Sequence, residues 1–175
     1  IPAIAVHLFV FYFGILADDT PPVGIAAYAA AGIAKANPVT VGMQGFFYDL
    51  RTTILPFSFV FNNKLLLIES VNAANPNDAK GIVWITNPLE IALIFGTALV
   101  GMFAFSSALQ GYFVRQVNVL ERALLLCVVP LTLVPNMCAK YIPFIANEYI
   151  SYAIGVSLCA ALFAFQWIQN KAEKR

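Results

Sequence analysis

Charge is scarce in this chain of 175 residues. Only 11% of the residues are charged and 61% are hydrophobic, whereas soluble domains carry about 25% charged residues. Ten basic and nine acidic side chains with a single histidine cannot give a domain of this size a polar surface. The composition therefore predicts an integral membrane protein. Because the chain opens with isoleucine inside an apolar run, we expect it to be a fragment of a longer membrane protein.

The sequence also lacks the patterns of several functional classes. The net charge is +1 and basic residues cluster only at the C-terminal end, which argues against a nucleic-acid partner. The spacings of Cys127, Cys138 and Cys159 match no metal or redox motif. Adjacent Asp18 and Asp19 have diverging side chains and make a poor acid pair, which weakens an intramembrane-enzyme hypothesis. We therefore predict that the chain is not an enzyme and needs no cofactor.

What the sequence does contain is an interruption between two apolar runs near its start. Its residues are Asp18, Asp19, Thr20, Pro21, Pro22, Val23 and Gly24. Prolines break helices and are tolerated at a first helical position. This predicts one helix that ends near Ala17 and another that begins near Pro22. We favour a discontinuous membrane crossing over residues 2–34; a re-entrant hairpin with its tip at 18–24 is the alternative.

The interruption is the strongest candidate for a functional site. Broken helices at membrane depth free backbone groups, and secondary transporters build ion and substrate sites there. Acids at that depth usually line pathways, which implicates Asp18 and Asp19. A cation such as Na⁺ prefers oxygen ligands, and the Thr20 hydroxyl and freed carbonyls supply them. The alternative is an ordinary interfacial turn whose acids face water.

The rest of the chain predicts further membrane elements. Asn37-Pro38 begins an interfacial helix over 38–51, followed by a transmembrane helix over 52–68. Residues 69–87 form a polar connection, in which residues 82–85 are either a short strand or the lead-in to the next helix. Residues 88–175 contain about three transmembrane helices, near 88–113, 119–134 and 149–167. Two rows of small residues suggest close helix packing: Gly101, Ala104, Ala108 and Gly111, and Ala153, Ser157, Ala160 and Ala164.

The distribution of positive charge predicts the orientation. If five segments each cross once, one side receives Lys35, Arg51, Arg115, Arg122, Lys171, Lys174 and Arg175. The other side receives Lys64, Lys80 and Lys140. The positive-inside rule then puts the C-terminus in the cytoplasm and the connection 69–87 in the periplasm.

Residues 1–68 resemble a known transporter family. The run from His7 through Asp18-Asp19-Thr20-Pro21-Pro22-Val23-Gly24 to Ala34, with the later Ile54-Leu55-Pro56-Phe57, is similar to the large membrane subunit of tripartite ATP-independent periplasmic (TRAP) transporters. The fused forms, in which the small and large subunits share one chain, are the closest in pattern. Residues 69–175 would be the C-terminal extension found in some of them.

This resemblance implies an all-α, elevator-type, ion-transporter-like fold with inverted repeats. Residues 1–68 would be the end of the second repeat, and 88–175 would add about three transmembrane helices. The family's function implies Na⁺-driven uptake of an organic acid that a periplasmic binding protein delivers, in the bacterial cytoplasmic membrane. The partners would be that binding protein, the fused small subunit and membrane lipid.

The resemblance also implies a sodium site, carried over residue by residue. It involves the backbone of Ala17 and Asp19, and the backbone and side chain of Thr20. Family members commonly have glycine where this chain has Ala17. Asp18, Pro21, Pro22 and Gly24 are candidates for the substrate or ion path. No other metal is expected. The alternative function is a structural or oligomerisation membrane domain without transport chemistry.

Overall fold

The chain folds into two mainly helical units. The computed structural model describes residues 1–18, 20, 23–71, 81–143, 145 and 147–173. The first unit is Ile1–Val83 and the second unit is Trp84–Arg175. Each unit is described by itself below.

Among its described residues the first unit contains four helices, one 3₁₀ helix and a pair of short strands, the second of which ends one residue beyond the unit, at Trp84. They are α1 (Ala3–Leu16), α2 (Ile25–Ala34), α3 (Pro38–Asp49), α4 (Ile54–Phe61), the 3₁₀ helix Asn63–Leu66, β1 (Ile68–Val71) and β2 (Ile82–Trp84). The two strands pair with each other, which confirms the strand alternative for residues 82–85. Helix α1 packs on α4, and α2 packs on α3. The ring of Phe57 lies 5.3 Å from that of Phe9 and 5.7 Å from that of Phe13, and these aromatic contacts hold α1 against α4.

Two helix starts in this unit follow from local chemistry. The Asn37 side chain accepts the Val39 N–H at 2.9 Å and Pro38 opens α3, as the sequence predicts. Helix α2 begins at Ile25 rather than near Pro22. The reason is a turn after the break, in which the N–H groups of Val23 and Gly24 both donate to the Thr20 carbonyl.

The apolar run over 52–68 is not one transmembrane helix. Helix α4 ends at Phe61, because Asn62 leaves the helical region with φ −136°. A second interruption follows at Leu67, which takes the left-handed conformation with φ 60°. Eight residues of α4 span about 12 Å, well short of a hydrocarbon core of about 30 Å. The run is apolar enough for a crossing, but its backbone is divided among a helix, a 3₁₀ helix and a strand.

In the part of the second unit that the structure describes there are four helices. They are α5 (Pro88–Gln110), α6 (Val119–Leu133), α7 (Pro135–Tyr141) and α8 (Glu148–Glu173). Within the described part of the chain, α5 and residues Glu148–Lys171 of α8 are each long and apolar enough to cross a membrane. Helices α6 and α7 satisfy the same test only as a pair, and they are bent by 101° at Val134. The prediction of a helical membrane protein is confirmed at this level.

One of the two predicted small-residue faces packs as expected. Gly101, Ala104 and Ala108 of α5 are buried, and Ala104 and Ala108 share a core cluster with Leu125 and Val128 of α6. A Cβ atom added to Gly101 would overlap the Thr132 hydroxyl and lie 3.0 Å from Leu133 Cγ. Close approach of α5 to α6 therefore depends on the absence of a side chain at 101.

The predicted small face of α8 is wrong. Ala153, Ser157, Ala160 and Ala164 are all exposed. The buried face instead contains Ser151, Gly155, Cys159, Leu162 and Gln166. Two contacts with α6 select that face: the Ser151 hydroxyl donates to the Leu131 carbonyl at 2.8 Å, and Gly155 lies against Leu131 and Thr132.

A buried polar network closes one end of the second unit. Gln166 Nε2 on α8 donates to Glu121 Oε2 on α6 at 2.8 Å. The side-chain oxygen of Gln166 accepts the backbone N–H groups of Val114 and Arg115 at 3.1 and 3.4 Å. Arg115 also pairs with Glu121 at 3.4 Å. Gln166 thus joins α8, α6 and the loop after α5.

The ends of α5 and α6 at this point are capped by side chains. Arg122 Nε donates to the Ala108 carbonyl at 2.6 Å and its Nη2 donates to Leu109 at 3.1 Å, so a cation satisfies the last carbonyls of α5. Asn118 and Glu121 form a capping box at the start of α6. Both caps come from the sequence around residues 118–122, which ties the end of one helix to the start of the next.

We expect Gly101→Ala to destabilise the second unit by about 1–3 kcal/mol, since its Cβ overpacks the contact with α6. The matched control is Gly96→Ala on the same helix, where no heavy atom lies within 4 Å of an added Cβ. That control should be neutral or stabilising because alanine is the better helix former. Thermal melting of the purified chain in detergent measures both variants. Equal melting temperatures for the two would contradict the close contact.

We expect Gln166→Ala to lower the stability by about 1–3 kcal/mol, because it leaves the N–H groups of Val114 and Arg115 without this acceptor and removes one donor from Glu121. The control is Gln44→Ala, which changes an exposed glutamine on α3. Melting in the same detergent checks the difference. A Gln166 variant as stable as the Gln44 variant would show that the network does not hold the helices together.

Candidate functional site

Thr20 lies in the break between α1 and α2 and forms hydrogen bonds on both sides of it. Helix α1 ends at Leu16, and Ala17 follows as its C-terminal cap. The Thr20 hydroxyl donates to the Leu16 carbonyl at 2.6 Å, and the Asp18 N–H donates to the Ile15 carbonyl at 3.1 Å. Carbonyls at the end of a helix have no partner within the helix. Thr20 therefore satisfies one of them from beyond the end of α1.

The main chain of Thr20 also prepares the start of α2. Its carbonyl accepts the N–H groups of Val23 at 3.1 Å and of Gly24 at 3.0 Å. The Gly24 carbonyl then accepts the N–H of Tyr28 at 3.2 Å, inside α2. One residue thus bonds to the end of α1 through its side chain and to the turn before α2 through its carbonyl.

A cavity of about 470 Å³ lies beside this residue. Its lining comes from the end of α1, the break, the end of α3 and the residues before α4. The lining residues are Phe13, Leu16, Ala17, Thr20, Val23, Phe46, Leu50 and Thr53. The volume falls within the range of about 300–1,000 Å³ that is usual for small-molecule sites.

The cavity is apolar apart from its two threonines. A threonine hydroxyl has one donor and two acceptor lone pairs. The hydroxyl protons of Thr20 and Thr53 go to the carbonyls of Leu16 and Asp49, at 2.6 and 3.2 Å. Both oxygens therefore retain acceptor capacity, which suits a cation or the donor group of a ligand. The Thr20 carbonyl already accepts two hydrogen bonds.

The predicted site residues separate into three groups. Ala17 and Thr20 line the cavity. Asp18 is exposed and is not among the lining residues, and Gly24 is buried at the N-cap of α2, also outside the lining. The predictions for Asp19, Pro21 and Pro22 fall outside the described residues. The roles assigned to all seven stay predictions.

Six lining residues are not among the predicted site residues. Phe13, Leu16 and Val23 lie on α1 and in the break, next to predicted residues, and the other three come later in the chain. Phe46, Leu50 and Thr53 follow one another at spacings of four and three, which is the period of one helix face. The sequence predicts residues 38–51, which include Phe46 and Leu50, as an interfacial helix, and it predicts Thr53 as part of a transmembrane helix over 52–68. The observed α3 ends at Asp49, so Leu50 and Thr53 lie in the turn before α4 and line the cavity together with Phe46 of α3. The spacing was a detectable signal, but it does not indicate which element the face contacts.

Comparison with protein families gives a separate result for each unit. Residues 91–169 match the model of a domain of unknown function (DUF3394). No curated protein and no solved structure matches the chain.

The first unit matches a family model whose description names a function. Residues 1–74 match the model described as "Tripartite ATP-independent periplasmic transporter, DctM component". The match contains the helix break, Thr20 and the whole lining of the cavity. It agrees with the resemblance based on the residues from His7 to Ala34. Residues 1–74 are therefore similar to the DctM component family of tripartite ATP-independent periplasmic transporters.

Proposed function

We propose that the chain is the C-terminal part of a secondary transporter permease that imports an organic acid and is driven by a Na⁺ gradient. The observation that carries the proposal is the position of Thr20, at a helix break beside a cavity, within a segment of a transporter family. In this proposal the first unit is the end of the second inverted repeat of an elevator-type fold. The protein is a multi-pass protein of the bacterial cytoplasmic membrane with its C-terminus in the cytoplasm.

The partners in this proposal follow from the transporter family. A periplasmic binding protein delivers the organic acid, and a small membrane subunit precedes residue 1 in the same polypeptide. The N-terminal end of α2 carries the positive end of the helix dipole and faces the break. That polarity supports a carboxylate as the transported group. The apolar lining of the cavity accommodates the rest of a small organic acid.

Sodium in this proposal is bound by oxygen atoms at the break. The ligands are the Thr20 hydroxyl oxygen and the carbonyls of Ala17 and Asp19. The Thr20 hydroxyl oxygen can coordinate an ion through its lone pairs while its proton stays hydrogen-bonded to the Leu16 carbonyl. The Thr20 carbonyl can become a further ligand only if the N–H group of Val23 or Gly24 no longer donates to it. Ion binding through that carbonyl would therefore change the start of α2.

We expect Thr20→Ala to raise the Na⁺ concentration for half-maximal uptake by about tenfold to a hundredfold, which is the loss expected for one ligand to a charged group. Thr20→Ser keeps the hydroxyl and should remain close to the parent protein. The measurement is uptake by the full transporter, reconstituted in liposomes with its binding protein, at varied Na⁺.

The matched control for this test is Thr52→Ala. It removes a hydroxyl that also donates to a backbone carbonyl, that of Asp49 at 2.8 Å, but Thr52 is exposed and outside the cavity lining. Uptake by this variant should keep its Na⁺ dependence. The sodium assignment fails if Thr20→Ala and Thr52→Ala show the same dependence as the parent protein. The transporter proposal itself fails if the parent protein shows no binding-protein-dependent uptake.

A second candidate function concerns the second unit alone. Its core lies among α5, α6 and α8, and its polar side chains Gln166, Glu121 and Arg122 bond within the same unit. This internal closure favours a structural or oligomerisation domain without transport chemistry. If so, a permease that lacks residues 86–175 retains Na⁺-driven uptake per inserted molecule. Loss of uptake at unchanged insertion and stability would assign the second unit a role in transport.

A further inference from the structure

The second unit has an apolar groove that its helices leave open. The groove lies between α5 and α8 and has a volume of about 410 Å³. Leu99, Val100 and Phe103 line it from α5, and Val156, Ala160 and Phe163 line it from α8. Leu99 is 71% exposed and Phe103 is 56% exposed. Both helices are long and apolar enough to cross a membrane, so in a bilayer a groove between them lies at the depth of the acyl chains.

Aromatic rings close one end of this groove. Phe113, in the loop after α5, lies 5.3 Å from the ring of Phe103 and 5.9 Å from that of Phe163. The rings of Phe113 and Phe163 meet edge-on at 89°, which is a favourable arrangement of an aromatic pair, and those of Phe103 and Phe113 are tilted by 50°. The groove therefore has a fixed wall next to the loop that follows α5.

The groove continues into a stripe on α8 that ends in a positive charge. Val156, Ala160, Phe163, Trp167 and Lys171 recur at spacings of four, three, four and four, so they share one helix face. The Lys171 ammonium lies 5.5 Å from the centre of the Trp167 ring. Lys171 is about 12 Å beyond Phe163 along the helix axis. Along one face the order is thus an apolar wall, an indole and a cation.

This order matches the order of groups in a phospholipid. Acyl chains fill the hydrocarbon core, tryptophan is enriched at the interface, and lysine reaches toward the head groups. We propose that the groove binds one acyl chain of a phospholipid with a net negative head group, and that Lys171 contacts the phosphate of that lipid. Trp167 then lies beside the glycerol region.

The volume favours an acyl chain over a protein helix. From Val156 to Phe163 the groove runs for about 10 Å. A helix about 10 Å across occupies roughly 800 Å³ over that length, about twice the groove volume of 410 Å³, so a partner helix could enter the groove only with its side chains. A single hydrocarbon chain is much narrower than a helix and can lie along the groove itself.

Selectivity for a negative lipid has to come from the head group. Lipid tails are as apolar as the groove, so apolarity alone gives no preference for this surface over any other. The shape of the groove determines where the acyl chain lies, and the charge of Lys171 determines which head group is preferred. A basic side chain near the membrane surface changes the affinity for an anionic lipid about fivefold.

The test is lipid binding to the purified 175-residue chain, measured by native mass spectrometry in detergent. The chain is titrated with phosphatidylglycerol and with phosphatidylcholine that carry the same acyl chains. We expect a first phosphatidylglycerol to bind more tightly than the first phosphatidylcholine. Equal binding of the two lipids would overturn the proposal.

Two variant pairs locate the site. Ala160→Trp fills the groove and should remove the tight first lipid, whereas Ala161→Trp places the same side chain on another exposed face of α8 and should not. Lys171→Gln should reduce the preference for phosphatidylglycerol about fivefold. Lys140→Gln is its control, since Lys140 also lies over an aromatic ring, that of Tyr141, but on α7.

Other outcomes of these variants would overturn the proposal. If Ala160→Trp and Ala161→Trp bind lipid equally, the groove is not the site. If Lys140→Gln loses as much preference as Lys171→Gln, the effect is one of net charge. If Ala160→Trp instead changes the oligomeric state, the groove is covered by a second copy. Thermal melting shows whether each variant is folded. The Lys171 and Lys140 variants alter only exposed side chains, so their result remains interpretable even if a tryptophan variant does not fold.

Discussion

A bilayer supplies no water to the backbone, and therefore every helix end at membrane depth must find partners for its N–H and C=O groups within the protein. Among the described residues, this requirement accounts for the positions of three polar side chains. Thr20 bonds to the end of α1, and Arg122 bonds to the last carbonyls of α5. The Ser151 hydroxyl donates to the Leu131 carbonyl near the bend between α6 and α7. Each of these side chains satisfies a carbonyl that a regular helix would leave free.

The two units meet the requirement in different ways. In the second unit the partners come from distant parts of the sequence: Gln166 bonds to the loop 52 residues earlier and to Glu121, 45 residues earlier. Breaking such bonds separates whole helices. In the first unit the bonds at the break are local, since Thr20 reaches only four residues in either direction. Local bonds can be exchanged while α1 stays on α4 and α2 stays on α3, which is what the proposed ion site requires.

Sequence reasoning located the features that depend on neighbouring residues. The break after Ala17, the helix start at Asn37-Pro38 and the small face of α5 all follow from local rules. It could not place features that depend on distant partners. The face of α8 was assigned from small residues, whereas contacts of Ser151 and Gly155 with α6 determine it.

The apolar run over 52–68 shows a related limit. Its composition fits a transmembrane helix, but the backbone conformations of Asn62 and Leu67 divide it. For the candidate site, the local pattern identifies Ala17 and Thr20 but not the other six lining residues, three of which come from α3 and the residues before α4. A hydrophobic pattern identifies a face and does not identify its partner.

The Thr20 carbonyl connects the geometry of the break to the proposed transport step. It accepts two N–H groups at 3.1 and 3.0 Å, so both of its lone pairs are in use. A ligand shifts a conformational equilibrium only through different affinities for the two states. The turn has one state in which Val23 and Gly24 both donate to the Thr20 carbonyl and another in which one of these hydrogen bonds is broken. An ion that binds the hydroxyl alone does not distinguish the two states. An ion that also binds the carbonyl favours the second state. Coupling between ion binding and movement of α2 therefore requires the carbonyl, and the hydroxyl by itself provides affinity without coupling.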